Sequence, residues 1–137
     1  MKYLVTFLLL FSTFYIVSQN NISKKDKKTY NLFLDELQNG SLEKGIKLAD
    51  STYRIANKED NKLLEILMLN ILANGNLKKG NFILSNDFFT RSNNKIINMD
   101  DSYLKDSLLI NNFNEHSKAF LLSGNFTKAI KYKCQHN

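Results

Sequence analysis

Apolar and polar positions alternate along this chain with helical period. Before Gly40 stand Tyr30, Phe33, Leu34 and Leu37, and before Gly124 stand Leu109, Phe113, Phe120 and Leu121. Spacings of this kind bring side chains onto one helix face. Residues 62–73 depart from the pattern, because Leu63, Leu64, Ile66, Leu67, Met68, Leu69, Ile71 and Leu72 leave almost no polar face. A helix that is apolar all round is covered on most sides, so this one is expected at the centre of the packing. Proline is absent, so no helix is broken by a missing donor and a ring clash. The pattern predicts helices near 26–39, 42–56, 60–74, 77–91, 101–122 and 125–133. Ser92-Asn93-Asn94 and Met99-Asp100-Asp101-Ser102 read as loop or cap.

Three short stretches punctuate the helices: Asn39-Gly40-Ser41-Leu42-Glu43-Lys44-Gly45, Asn74-Gly75-Asn76-Leu77-Lys78-Lys79-Gly80 and Ser123-Gly124-Asn125-Phe126-Thr127-Lys128-Ala129. Each has a glycine, an apolar residue two later and a small residue five later, preceded by lysine. Glycine ends a helix because the left-handed conformation costs it no Cβ clash. The Ser or Asn that follows can cap the next helix, and the small residue lets two helices approach. The unit is therefore helix, tight turn, helix. Gly40 to Gly75 is a step of 35 residues and Gly75 to Gly124 a step of 49. Recurrence at such distances signals a stacked array, and the longer step predicts an extended helix pair or an inserted loop near 88–104.

Helix-turn-helix units of this kind resemble tetratricopeptide repeats. The stretch from Ala119 through Gly124, Phe126 and Ala129 to Tyr132 carries the likeness best. Gly45 and Gly80 stand where that family usually has alanine, and its repeat-closing proline is missing. The resemblance covers residues 27–133. It implies an all-α fold, a right-handed solenoid of antiparallel helix pairs with about three units, and a groove that holds a protein or peptide segment. Carried onto this chain, the groove positions are Lys62 and Glu65 in the second unit and Asn111, Asn114 and Lys118 in the third. Exported arrays of this type also resemble the sensory parts of bacterial membrane histidine kinases and helix-turn-helix regulators. A truncated sensor fragment without activity of its own is the alternative reading. Repeat stacks need a polar outer face at each end, so the last helix either serves as its own cap or would be followed by more structure.

The first eighteen residues stand apart. Met1-Lys2 is followed by an almost wholly apolar run over 3–17 and then Ser18-Gln19-Asn20. A positive start, an apolar centre and a small residue at the cut are the parts of a secretory signal peptide. The run is shorter than the ~20 residues that span a bilayer, so cleavage after Ser18 is expected. Residues 1–18 are thus a signal peptide, 19–26 a polar linker, and 27–137 the helical repeat domain. The expected location is periplasmic or secreted, with membrane contact only through an uncleaved signal segment.

Charge and chemistry change this picture little. The net charge is +6, but the lysines are scattered among acids, and arginine occurs only as Arg54 and Arg91. That is a solvated surface, not a phosphate-tracking stripe, and no nucleic-acid partner is expected. The single Cys134 cannot form an intramolecular bridge. Cys134 and His136 are too few for a metal site. His116 lies mid-helix facing a neighbour. Asp35-Glu36, Glu59-Asp60 and Asp100-Asp101 are adjacent acids that point apart on a helix. No phosphate loop, dinucleotide fingerprint or nucleophile elbow occurs, so neither catalysis nor a cofactor is expected.

Overall fold

The computed structural model describes residues 24–134. Among these it contains six α-helices and no strand. Helix α1 spans Lys24–Asn39, α2 Leu42–Lys58, α3 Lys62–Lys78, α4 Phe82–Ile97, α5 Tyr103–Leu122 and α6 Phe126–Cys134. The proposed signal peptide, residues 19–23 of the linker, and the tail with His136 lie outside the described residues. Helix α1 begins at Lys24, inside the stretch read as linker. Its lysines are good helix formers. Each helix packs on the next, α1 also touches α3, and α3 touches α5.

Three of the turns share one hydrogen-bond pattern. The backbone N–H of Asn61 donates to the Ala56 carbonyl at 2.9 Å, that of Asn81 to Asn76 at 2.9 Å, and that of Asn125 to Phe120 at 2.8 Å. This six-residue closure places the preceding residue in the left-handed region. Those residues are Asp60 at φ +51°, Gly80 at +79° and Gly124 at +76°. Gly40 ends α1 differently: it is not in the left-handed region, and it lies against the Glu36 carboxylate, which holds Lys44 at 2.7 Å. Side-chain caps follow the turns. Ser41 Oγ accepts from the Lys44 N–H, Asn61 Oδ1 from Leu64, Ser102 Oγ from Lys105, and Asn125 Oδ1 from Lys128.

The second punctuation mark is therefore not at Gly75. That residue is buried inside α3, which continues to Lys78. The helix is held there by Leu72 and Ala73, at 2% and 0% exposure. Asn76 stays in it by donating its amide to the Leu72 carbonyl at 2.8 Å, and it accepts from Asn81 Nδ2 at 3.3 Å across the true turn. With the register moved, Gly80-Asn81-Phe82-Ile83-Leu84-Ser85 lines up with Gly40-Ser41-Leu42-Glu43-Lys44-Gly45 and Gly124-Asn125-Phe126-Thr127-Lys128-Ala129. The small residues Gly45, Ser85 and Ala129 are all buried. The steps become 40 and 44 residues, and the inserted segment disappears. Both steps exceed the about 34 residues of a tetratricopeptide unit, because α1 to α5 are 16 to 20 residues long.

The largest apolar cluster joins α1 through α4. Phe33, Ala49, Ala56, Leu64, Met68 and Leu72 are at its centre, with Tyr53 and Phe88 packed against it. A second centres on Ile66, Ile96 and Leu108, and a third on Ala73, Phe89 and Ala119. Helix α3 reaches all three, as its unbroken apolar run predicts. Full burial of a large aliphatic side chain is worth about 1.5–3 kcal/mol, so α3 dominates cohesion. Two polar contacts pin α4 to its neighbours. Arg91 lies over the Tyr53 and Phe88 rings and donates to the Tyr53 hydroxyl at 3.0 Å. The Lys95 ammonium closes on the carboxylate of Glu65, which is 2% exposed.

Candidate binding cleft

The stretch Ser92-Asn93-Asn94 is not a loop. It lies in the body of α4, with Ser92 and Asn93 buried. Local composition favours a turn there, but partners distant in sequence override it. Asn112 of α5 donates its amide to Asn93 Oδ1 at 2.8 Å and to the Phe89 carbonyl at 3.4 Å. Asn93 Nδ2 lies 3.3 Å from His116 Nδ1. Buried amides of this kind are retained because each finds a counterpart.

His116 is fully buried. Its ring stacks on Phe89 at 5.3 Å and Phe120 at 4.4 Å, and Tyr132 meets it edge-on at 4.6 Å. Burial, and secondarily the nearby Lys128 ammonium, push its pKa down to about 4. The imidazole is therefore neutral near pH 7. With Nδ1 accepting from Asn93, the ring proton sits on Nε2. Asn112 Oδ1, Ser92 Oγ and His116 Nε2 are buried with no hydrogen-bond partner among the described residues.

This network lies beside an open cleft of about 400 Å³. Helix α4 contributes Thr90, Asn93, Asn94 and Ile97, which share one face by their spacing. Leu109 and Phe113 of α5 and Tyr132 of α6 complete the lining. Tyr132 also packs on Phe113 at 5.5 Å and Phe120 at 5.2 Å. Helix α6 is held beneath it by buried Ala129, whose carbonyl accepts from Ser117 Oγ at 2.9 Å. The cleft combines amide donors and acceptors with apolar and aromatic walls. Small-ligand and side-chain pockets have this composition, and they begin at about 300 Å³.

The residues that the tetratricopeptide resemblance singled out lie elsewhere. Lys62 is exposed at the first position of α3. Glu65 is buried against Lys95 and so presents no charge to a groove. Asn111, Asn114 and Lys118 are exposed on α5 and share a face, and Lys118 pairs with Glu115 at 2.5 Å. Local sequence does not reveal the cleft, because its lining comes from three helices and its polar members have a loop's composition. Leu109 and Phe113, four apart, were the legible part.

Among the described residues, no group of His, Cys, Asp and Glu is placed to hold a metal ion. No described helix is long and apolar enough to cross a membrane. No known protein family, curated protein or solved structure matches the chain.

Proposed function

We propose that this chain is a non-catalytic scaffold of stacked helical hairpins, tetratricopeptide-like in kind, that holds a protein or peptide segment in the cleft between α4, α5 and α6. The observation that carries the reading is the pairing of Asn93 and Asn94 with Ile97, Leu109, Phe113 and Tyr132 around one opening. A peptide offers amide groups and an apolar side chain together, and this lining answers both. The buried floor is fixed by hydrogen bonds and ring stacking, which reduces the ordering cost of binding. His116 neighbours amides and aromatic rings, a setting that supports positioning over proton transfer. The apolar start of the chain supports export, which a periplasmic reporter fusion would test.

The experiment is selection of random peptides against the full chain, followed by affinity measurement on variants. Ile97→Asp and Phe113→Ala are expected to weaken the selected peptides about tenfold or more, as buried interface anchors do. Alanine at Lys62 or Glu65 should leave affinity unchanged in protein that still folds. The exposed α5 face is the competing surface. If alanine at Asn111, Asn114 and Lys118 abolished capture while Ile97→Asp did not, the cleft would be the wrong site.

A further inference from the structure

Helix α6 has a second face, turned away from the cleft. Phe126, Ile130 and Cys134 follow one another at four-residue spacing, so they form one stripe. Phe126 and Ile130 are each 63% exposed, and Leu122, just before the turn, is 62% exposed. Single exposed apolar residues are ordinary, but two large ones side by side on one stripe, as Phe126 and Ile130 are by spacing, mark a candidate interaction surface. The inward side of α6 is already occupied, since Ala129 and Tyr132 pack on α5. Lys131 and Lys133 flank the stripe, one on each side by helical spacing. The helix contains no Asp or Glu, and neither lysine has a carboxylate partner among the described residues.

Charge selects the occupant. A second copy of this chain would bring another +6 net charge and the same two lysines against their counterparts, and like charges across an interface oppose association. An acidic partner gains where a second copy loses. We propose that the outer face of α6 docks an acidic amphipathic helix from another protein, with its apolar side chains on Phe126 and Ile130 and its carboxylates facing Lys131 and Lys133. Helix-on-helix docking through residues at i and i+4 is an established recognition mode. The surface is separate from the cleft.

The test uses the full chain and two labelled synthetic helical peptides. Both carry a Leu/Phe stripe; one has glutamate on its flanks and the other lysine. Anisotropy titrations should show binding of the acidic peptide, weakening as salt is raised, and much weaker binding of the basic one. Phe126→Ser and Ile130→Ser should each lower the acidic peptide's affinity about tenfold. Lys131→Glu combined with Lys133→Glu should reverse the preference between the peptides. Circular dichroism verifies folding, and the exposed lysine variants keep the test open if an apolar variant fails to fold. Equal binding of both peptides would overturn the proposal, as would loss of binding on Ile97→Asp, which places the peptide in the cleft. Concentration-dependent dimerisation abolished by Phe126→Ser would overturn it in favour of a second copy.

Discussion

Helices α3 and α6 sit in the same fold but are retained by different means. Helix α3 buries eleven of its 17 residues, whereas α6 buries only Ala129 of nine. The first is held by apolar area on every side. The second is held by a few directed contacts: Ala129 against Ser117, and Tyr132 among Phe113, His116 and Phe120. Area is forgiving in detail and costly to remove, while directed contacts are cheap to break and easy to modulate. The contrast teaches that cohesion is concentrated in the middle of the helix series, at α3, and adaptability at its last helix, α6. Both proposed binding surfaces involve the less buried end.

The comparison breaks most directly at Met68, which is fully buried in α3. Met68→Ala should cost about 2–5 kcal/mol through lost contacts and a residual cavity. Chemical denaturation should show this as one cooperative loss across all helices.

Acid should act at the α5–α6 end. His116 has its pKa lowered from 6.5 to about 4 in the folded chain, so the unfolded state binds the extra proton between those values. Stability from this group is complete above the unfolded value and is lost as pH falls toward the folded one. The loss is on the order of 3 kcal/mol. Urea melts of the native chain and of His116→Phe, compared across that range, should differ in slope, with the variant flatter. Parallel slopes would mean that the imidazole is not held neutral.

Tyr132→Ala should release α6 at a cost of about 1–3 kcal/mol, within the usual range for a point change. Hydrogen exchange should then show lost protection in α6 and preserved protection in α3. Uniform loss would erase the distinction drawn above. Gly80→Ala and Gly124→Ala each force a Cβ into a left-handed position with open space around it, costing about 1–2 kcal/mol. The Gly80 change should lower the global melting temperature more than the Gly124 change, because it disturbs the α3–α4 junction. The smallest expected effect is a gain. Asp60→Gly relieves a non-glycine at φ +51° and should add about 0.5 kcal/mol.

Much of the helical layout was readable from residue pattern alone. The α1–α2 turn at Gly40 and the α5–α6 turn at Gly124 fall where glycine and a capping Ser or Asn predict them. The buried character of residues 62–73 follows from apolar content. The α3–α4 turn misled because Asn74-Gly75-Asn76 has a turn's composition, and the continued burial of Gly75 and Asn76 is a tertiary fact. Gly80, five residues on, matches by spacing the small packing residue of the other two stretches, although it forms the turn itself. The cleft was illegible for a related reason. Asn93 pairs with Asn112 and His116, and neither partnership leaves a trace in local spacing. Of the groove positions taken from the family resemblance, Asn111, Asn114 and Lys118 share an exposed face of α5, whereas Lys62 and Glu65 lie on α3, one exposed and one buried.

The edge-on contact of Tyr132 with His116 gives the chain an optical handle. The sequence contains no tryptophan, so tyrosines dominate its ultraviolet emission. A phenol 4.6 Å from an imidazole senses whether that ring carries a proton or is displaced. Fluorescence compared between the native chain and a Tyr132→Phe variant would therefore follow the docking of α6 without any added label.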